Sequence, residues 1–218
     1  MRLSATDTPS VPGHSADRPL LELVEVMARL RRECAWKAGQ THRSLARYLL
    51  EETYETVEAI ETGDDAHLRE ELGDLLLQIL FHAVIAEEEG RFDIDDVAAD
   101  LVVKLRRRNP HVFDPEHAGV EAGSAAEAAE AINEQWERIK AEEKQRTGLM
   151  EGVPEELPAL LRAVKALDRL ERSGAAPALD PQSTDLGDRL LALAAEARSA
   201  GLDPEQELRA AVRRVAPE

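Results

Sequence analysis

Two consecutive stretches of helical periodicity, each with paired acids beside an apolar stripe, constrain the fold of this chain more than any other feature. The acids are Glu51, Glu52 and Glu55 (EExxE) in residues 41–62, and Glu71 and Asp74 (ExxD) in residues 66–89. Residues 62–65, TGDD, predict a turn between the two helices, because glycine ends helices and aspartate caps them. A turn this short makes the two helices antiparallel neighbours.

All of these acids except Glu51, which lies further out towards solvent, lie on the side of their helix that flanks the apolar stripe. At about 100° per residue, the side chains that converge at one seam are Glu52, Glu55, Glu71 and Asp74. Four close carboxylates do not all stay ionised without compensation, and a hard divalent cation such as Mg²⁺ supplies it through oxygen ligands. The alternative is a solvated acidic face paired with Lys and Arg. The spacing alone favours a metal site and identifies no substrate.

Composition narrows the class of protein. The 218 residues are 43% hydrophobic and only 3% aromatic, and their abundance of Ala, Leu and Glu is typical of an all-α protein. The net charge is −17. This charge argues against a broad basic face for nucleic acid, although solubility alone explains most of the excess. No apolar run reaches the ~18 residues of a membrane span. The single cysteine, Cys34, forms no intrachain disulfide and fits a reducing cytoplasm.

Helical periodicity continues along the rest of the chain, and no strand pattern is found. Further helices are predicted over residues 20–32, 95–108, 125–146, 156–172, 185–200 and 204–215. Thr41 is predicted to cap the first acidic helix, and Gly63 to end it. Residues 34–40 and 109–119 are predicted to be loops, the second because it contains two prolines and a glycine.

Several segments together resemble the MazG family of nucleoside triphosphate pyrophosphohydrolases. They are CAWKAGQTHRSLARYLLEETYETVEAI, REELGDLLLQILFHAVIAEEEGRFDIDDV and KLRRRNPHVF, extended by INEQWERIKAEEK and GVPEELPALLRAVKALDRLER. The resemblance covers roughly Leu20 to Arg172. It implies an all-α, MazG-like helical bundle that depends on Mg²⁺, with Mn²⁺ as a substitute. It also implies cleavage of NTPs and dNTPs to the monophosphate and pyrophosphate, as a housecleaning enzyme of the nucleotide pool.

The resemblance assigns roles residue by residue. It implies that the metal ligands are Glu52, Glu55, Glu71 and Asp74, that Lys104, Arg107 and Arg108 meet phosphates, and that Trp136 contacts the nucleotide. Glu51 and Glu52 are the candidates for the general base. The basic residues could instead cap a helix end, and Trp136 could be a packed core residue. Ala35, Lys37 and Asn109 depart from the family pattern, at positions that we expect to affect loop shape and substrate preference.

Composition and the family resemblance together divide the chain. Residues 1–18 are predicted to be a flexible leader from their Ser, Thr, Pro and Gly content, and the resemblance implies that residues 19–172 are the pyrophosphohydrolase domain with its helical extension. Residues 173–218 are predicted to be a linker and a degenerate second repeat. Asp185 and Asp188 fit the ExxD positions there, but no EExxE helix precedes them, and half a ligand set should not hold metal.

The second acidic helix is apolar on its far side as well, at Leu77, Phe81, Val84 and Ile85. A helix that is apolar nearly all round is buried on both sides, which predicts a four-helix core completed by homodimerisation. Two alternative functions stay open. One is a hydrolase similar to dUTPase or phosphoribosyl-ATP pyrophosphatase on the same helices, and the other is a non-catalytic helical interaction module.

Overall fold

The computed structural model describes residues 18–114, 124–144 and 148–216, and within them every regular element is a helix. The prediction of an all-α fold is confirmed, whereas the predicted leader lies outside the described residues except for Arg18. The helices are α1 (Pro19–Glu33), α2 (Ala35–Ala38), α3 (His42–Thr62), α4 (Asp65–Glu88), α5 (Ile94–Arg108), α6 (Pro110–Phe113), α7 (Ala125–Lys144), α8 (Ala159–Arg172), α9 (Leu186–Ser199) and α10 (Pro204–Val215).

The two short helices differ from the sequence prediction, which assigned loops to both segments. In α6, Pro110 occupies the first turn, where its missing N–H costs nothing and its fixed φ suits a helix. The prediction for α8 began too early, since Pro158 precedes its first residue at position 159. None of the helices in the described ranges has both the length and the apolar composition needed to span a membrane.

The turn between α3 and α4 follows from local capping. Thr41 starts α3 with a capping box, because its side chain accepts from Ser44 N at 3.2 Å and Ser44 Oγ accepts from Thr41 N at 2.9 Å. Gly63 ends α3 at a φ of 74°, a left-handed conformation that glycine adopts without penalty. Asp64 Oδ1 then accepts from Ala66 N and His67 N at 2.9 and 3.1 Å. These predicted caps are confirmed.

The chain separates into two compact units that divide between residues 121 and 122. In the first unit, α1, α3 and α4 enclose the hydrophobic core, whose buried members are Met27, Leu45, Leu80, Phe81, Val84 and Ile85. Arg31 reinforces this packing, because it forms an ion pair with Glu88 at 3.0 Å and donates to the Gln40 carbonyl at 2.9 Å. The end of α1 is thereby fixed to the end of α4 and to the loop before α3.

The apolar stripes on α3 and α4 are only partly covered within one chain. Phe81, Val84 and Ile85, on the far side of α4, are buried in the chain's own core. Along the stripes themselves, Ile60 and Leu72 are 60% and 52% exposed. The side chains that are instead buried next to the acids are small or polar, namely Thr56, Ala59 and Gln78, and Glu71 is itself buried.

A chain of hydrogen bonds joins α3, α4 and the turn after α4. His42 Nδ1 lies 2.7 Å from His82 Nδ1 with the two ring planes nearly parallel, and Arg91 Nη2 lies 2.5 Å from His42 Nε2. Because a guanidinium only donates, His42 accepts at Nε2 and carries its proton on Nδ1, which it donates to His82. Burial lowers the pKa of His82, and the charge that His42 can carry lowers it further.

The second unit contains α7 to α10, with α8, α9 and α10 in mutual contact. Leu167, Ala192 and Ala194 are buried there. Arg198 of α9 pairs with Asp168 of α8 at 2.5 Å and also with Glu171. The predicted boundary at residue 172 stays a prediction, and α8 packs with the tail helices on either side of it.

Candidate metal centre

The hairpin of α3 and α4 places the predicted acids level with one another. Glu55 and Glu71 lie eight residues before and after Gly63, and Glu52 and Asp74 lie eleven residues before and after it. A helix rises about 1.5 Å per residue, so each pair stands at the same height above the turn. One carboxylate oxygen from each of Glu52, Glu55 and Glu71 lies within 4.8 Å of the other two.

Glu71 is the buried carboxylate of this cluster. Its side chain is only 9% exposed, and Oε1 lies 3.0 Å from Nε2 of His67, one turn earlier on α4. Oε2 is buried without any hydrogen-bond partner. A buried carboxylate oxygen is normally satisfied, because an unpaired one costs free energy. Oε2 is therefore a position at which a cation would remove an unfavourable interaction.

Glu52 carries the clearest electrostatic signature of crowding. Burial raises the pKa of its carboxyl, and the negative charges of Asp74, Glu55, Glu71 and Glu51 raise it further, in that order. Among these charges, that of Asp74 has the largest effect on the pKa of Glu52, so Asp74 lies next to the cluster. Its oxygens are nevertheless outside the group that lies within 4.8 Å. The structure thus brings three predicted ligands together and sets the fourth beside Glu52.

The donor set fits a hard divalent cation. Each of the three clustered side chains presents a carboxylate oxygen, and Mg²⁺ and Mn²⁺ prefer oxygen ligands while retaining coordinated waters. The unsatisfied oxygen of Glu71 and the raised pKa of Glu52 are both relieved by positive charge at this point. Exposed carboxylates are solvated by water and need no cation, whereas Glu71 is buried.

His67 is a site neighbour that the sequence analysis missed. It holds Glu71 Oε1 from one helical turn away, and its own backbone N–H is bound by the capping Asp64. The signal was present in the sequence, because residues four apart on a helix face each other. Partners of this kind orient metal ligands.

The predicted phosphate-binding residues lie at the C-terminal end of α5. Lys104 and Arg107 are exposed, whereas Arg108, the last residue of the helix, is buried. Cations at a helix C-terminus are also favoured by the helix dipole, so helix-end stabilisation and phosphate binding are both compatible with this position.

Trp136 lies on α7, in the second compact unit, and is partly buried. Lys140 Nζ lies 4.3 Å from the centroid of its ring, a cation–π contact. This geometry leaves open both predicted roles, base stacking and packing.

Comparison with known proteins agrees with the resemblance to the MazG family. The model of the MazG nucleotide pyrophosphohydrolase domain matches residues 40–113, which include every predicted site residue except Trp136. A 26.1 kDa Streptomyces cacaoi protein, described as uncharacterized and in the blaB 3′ region, is 47% identical over 216 residues, covering 96% of this chain and 86% of that protein.

The names of two further relatives state an enzymatic activity. The nucleoside triphosphate pyrophosphohydrolase of Mycolicibacterium smegmatis is 42% identical over 217 residues, covering 97% of this chain but 61% of that protein. The nucleoside triphosphate pyrophosphohydrolase/pyrophosphatase MazG of Thermotoga maritima is 37% identical over 218 residues, covering 88% of this chain and 81% of that protein. The chain therefore spans about three fifths of the mycobacterial relative and most of the Thermotoga one.

Proposed function

The chain belongs to the MazG family of nucleotide pyrophosphohydrolases, and from that premise we propose that it hydrolyses nucleoside triphosphates, ribo and deoxy, to the monophosphate and pyrophosphate. The observation that carries the proposal is the carboxylate cluster of Glu52, Glu55 and Glu71, with its unsatisfied buried oxygen, inside the matched region. The names of the mycobacterial and Thermotoga relatives support the class of reaction.

The proposed cofactor is Mg²⁺, with Mn²⁺ as a substitute. Glu52, Glu55 and Glu71 would hold the ion, and Asp74 would complete the ligand set from beside Glu52. When bound, Mg²⁺ would neutralise charge on the phosphates and make an attacking water more acidic. The chain's own contribution is to hold the carboxylates as two level pairs on the hairpin of α3 and α4.

The proposed general base is Glu51 or Glu52. Glu51 is exposed and next to the cluster in sequence, so it can accept a proton from water without itself being a ligand. Metal affinity and turnover, measured together, separate the two roles. A Glu51→Gln variant that keeps its metal affinity but loses turnover identifies Glu51 as the base. Loss of both in Glu52→Gln identifies Glu52 as a ligand.

The nucleotide itself is proposed to bind through side chains outside the cluster. Lys104, Arg107 and Arg108 would offset the charge of the triphosphate, and Trp136 would contact the base. Phosphoryl transfer relies mainly on such positioning and charge neutralisation. Substituting Lys104 with Gln should therefore raise KM for every nucleotide alike, since it meets a group that all of them share.

The proposed activity is tested by pyrophosphate release from a full panel of NTPs and dNTPs, including dUTP, and from phosphoribosyl-ATP, with Mg²⁺ and with Mn²⁺. Hydrolysis confined to dUTP or to phosphoribosyl-ATP would assign the chain to one of the narrower alternatives. Glu58→Gln, on the same helix as Glu52 but exposed and outside the cluster, is the matched control. Absence of metal-dependent release from every nucleotide would instead support a non-catalytic interaction module.

We also propose that two copies pair through the uncovered stripe. Ile60, Leu72 and Ile79 are each about half exposed, and a second copy of the hairpin would cover them and complete a four-helix core. Leu72→Asp should yield monomers in sedimentation analysis, whereas Leu208→Asp, at an equally exposed leucine of the second unit, should not. A monomeric unmodified chain at micromolar concentration would refute the pairing.

We also propose that the protein removes unwanted nucleotides from the nucleotide pool. We propose that it acts in the cytoplasm, where Cys34 would remain reduced. The tail is a structural remnant of a second repeat. Its Asp185 supports this, because its side chain caps α9 by accepting from Gly187 N at 2.7 Å and Asp188 N at 3.2 Å.

A further inference from the structure

Gln78 interrupts a run of large apolar residues in α4. It stands within LLLQILF, residues 75–81, where every other member is leucine, isoleucine or phenylalanine. Gln78 is only 5% exposed, and its Oε1 has no hydrogen-bond partner among the residues that the structure describes. A buried acceptor without a donor costs free energy, whereas a methionine at this position would avoid that cost. The amide therefore needs an explanation other than the packing of α4.

The amide faces the seam between α3 and α4 that contains the carboxylate cluster. Gln78 follows Glu71 by seven residues, two helical turns, so both side chains lie on the same face of α4. Glu71 reaches Glu52 and Glu55 of α3, and this face is therefore directed towards α3. Because side chains on a helix lean towards its N-terminus, Gln78 leans back towards Asp74 and the cluster.

The two ends of the seam differ in their hydrogen bonding. Nearer the turn, Nε2 of His67 lies 3.0 Å from Oε1 of Glu71. At the other end, Tyr48 of α3 lies level with Gln78, since each is fifteen residues from the glycine of the turn. The Tyr48 hydroxyl accepts from Arg47 Nη2 and makes no hydrogen bond to Oε1 of Gln78. The seam thus has a satisfied contact at one end and an unsatisfied acceptor at the other.

The donor that Gln78 requires is not a triphosphate, because phosphate oxygens are acceptors. A water fits, since one water donates two hydrogen bonds. Asp74 precedes Gln78 by four residues, a rise of about 6 Å along the helix. With hydrogen bonds of about 2.8 Å, one water joins two oxygens that are about 5 Å apart. The lean of Gln78 towards Asp74 shortens the gap in the required direction.

We propose that Gln78 is a positioning residue of the proposed metal centre: its carbonyl oxygen and the Asp74 carboxylate each accept one hydrogen bond from the same water. Both O–H groups of that water are then engaged, so its lone pairs face the cation and the phosphates. A neutral amide suits this task, because it orients water without removing the proton, which is left to Glu51 or Glu52. The inference rests on the function proposed above.

The first test needs no nucleotide. Mn²⁺ is titrated into the full chain by calorimetry, and Gln78→Met should weaken its affinity about fivefold, since one hydrogen bond of ordinary strength to the oriented water is lost. Gln78→Glu keeps an acceptor oxygen in place and should bind Mn²⁺ at least as tightly as the unmodified chain. Leu77→Met, at the neighbouring position that packs against the core, is the matched control and should stay within about twofold.

Urea unfolding in metal-depleted buffer separates a positioning role from a packing role. Gln78→Met should be at least as stable as the unmodified chain, because it removes an unsatisfied buried acceptor. In pyrophosphate release at saturating Mg²⁺, the same variant should lower kcat at least about tenfold and leave KM within about twofold for every nucleotide, since the water is common to all of them.

Three results would overturn the proposal. They are a Mn²⁺ affinity of Gln78→Met equal to that of Leu77→Met, a metal-free Gln78→Met less stable than Leu77→Met, and a KM that rises for only some nucleotides, which would place Gln78 against the base or the sugar. Absence of hydrolysis by the unmodified chain would instead refute the proposed function, whereas the titration and unfolding experiments would still decide the role of Gln78.

Discussion

Removing one negative charge from the acidic cluster should stabilise the metal-free protein. The clustered oxygens of Glu52, Glu55 and Glu71 lie within 4.8 Å of each other, so each pair of charges repels by about 0.9 kcal/mol even at the dielectric constant of water. Glu52→Gln removes two such pairs. Two pairs at about 0.9 kcal/mol each amount to about 1.8 kcal/mol, so we expect a gain of about 1–2 kcal/mol in the free energy of unfolding.

The assay is urea unfolding of the first unit in metal-depleted buffer at neutral pH. The chain has two tryptophans, and Trp36 lies in the first unit, 6.1 Å from the ring of Tyr48. In a Trp136→Phe background, Trp36 fluorescence therefore reports unfolding of the first unit alone. Glu58→Gln, an exposed change on the same helix, should alter stability by no more than about 0.5 kcal/mol.

Added Mg²⁺ should reverse the order of stability. An ion present at about 100 times its dissociation constant stabilises the protein that binds it by about 2.7 kcal/mol, and Glu52→Gln should gain much less because it has lost a ligand. The reasoning fails if Glu52→Gln is no more stable than Glu58→Gln without metal. It also fails if Mg²⁺ stabilises both variants and the unmodified chain equally.

Three further predictions follow from individual contacts. His67→Gln should weaken Mn²⁺ binding about tenfold in calorimetry without nucleotide, because Glu71 loses its orienting partner; unchanged affinity would show that Glu71 is held by packing alone. The pKa of His82 is lowered in the fold, so its contribution to stability is complete above about pH 6.5 and is lost as the pH falls through the lowered value. His82→Asn should flatten that part of the curve of unfolding free energy against pH, and an unchanged slope would refute the assignment. Thr41→Ala should cost about 1 kcal/mol in urea unfolding through loss of the capping box, and a cost near zero would mean that α3 frays there without consequence.

The turn chemistry of the hairpin was predictable because it is local. Thr41, Gly63 and Asp64 act within a few residues of themselves, and each has the role that its residue type predicts. The convergence of Glu52, Glu55 and Glu71 was predictable for the same reason, since one short turn and the helical period determine it.

Properties that depend on packing between distant segments were not predictable. Helical periodicity alone placed Ile60 and Leu72 on the apolar stripes. Within one chain, however, α1 covers the far side of α4, so Ile60 and Leu72 remain about half exposed. The contact between His42 and His82 is completed by Arg91, which approaches His42 from the turn after α4. Periodicity contains no information about either arrangement, because both depend on which helices meet.

The equal spacing of the acids about Gly63 limits how this hairpin can change in length. Deleting one residue between Glu55 and Gly63 would turn Glu55 by about 100° relative to Glu71 and lower it by about 1.5 Å. A deletion of the same size between Gly63 and Glu71 brings the two residues back to the same height, but their side chains still do not face each other. They face each other again only when a whole helical turn is lost from both helices. Natural variation in the length of this arm should therefore come in matched steps of three or four residues on each side, with the carboxylates moving along the hairpin as one unit.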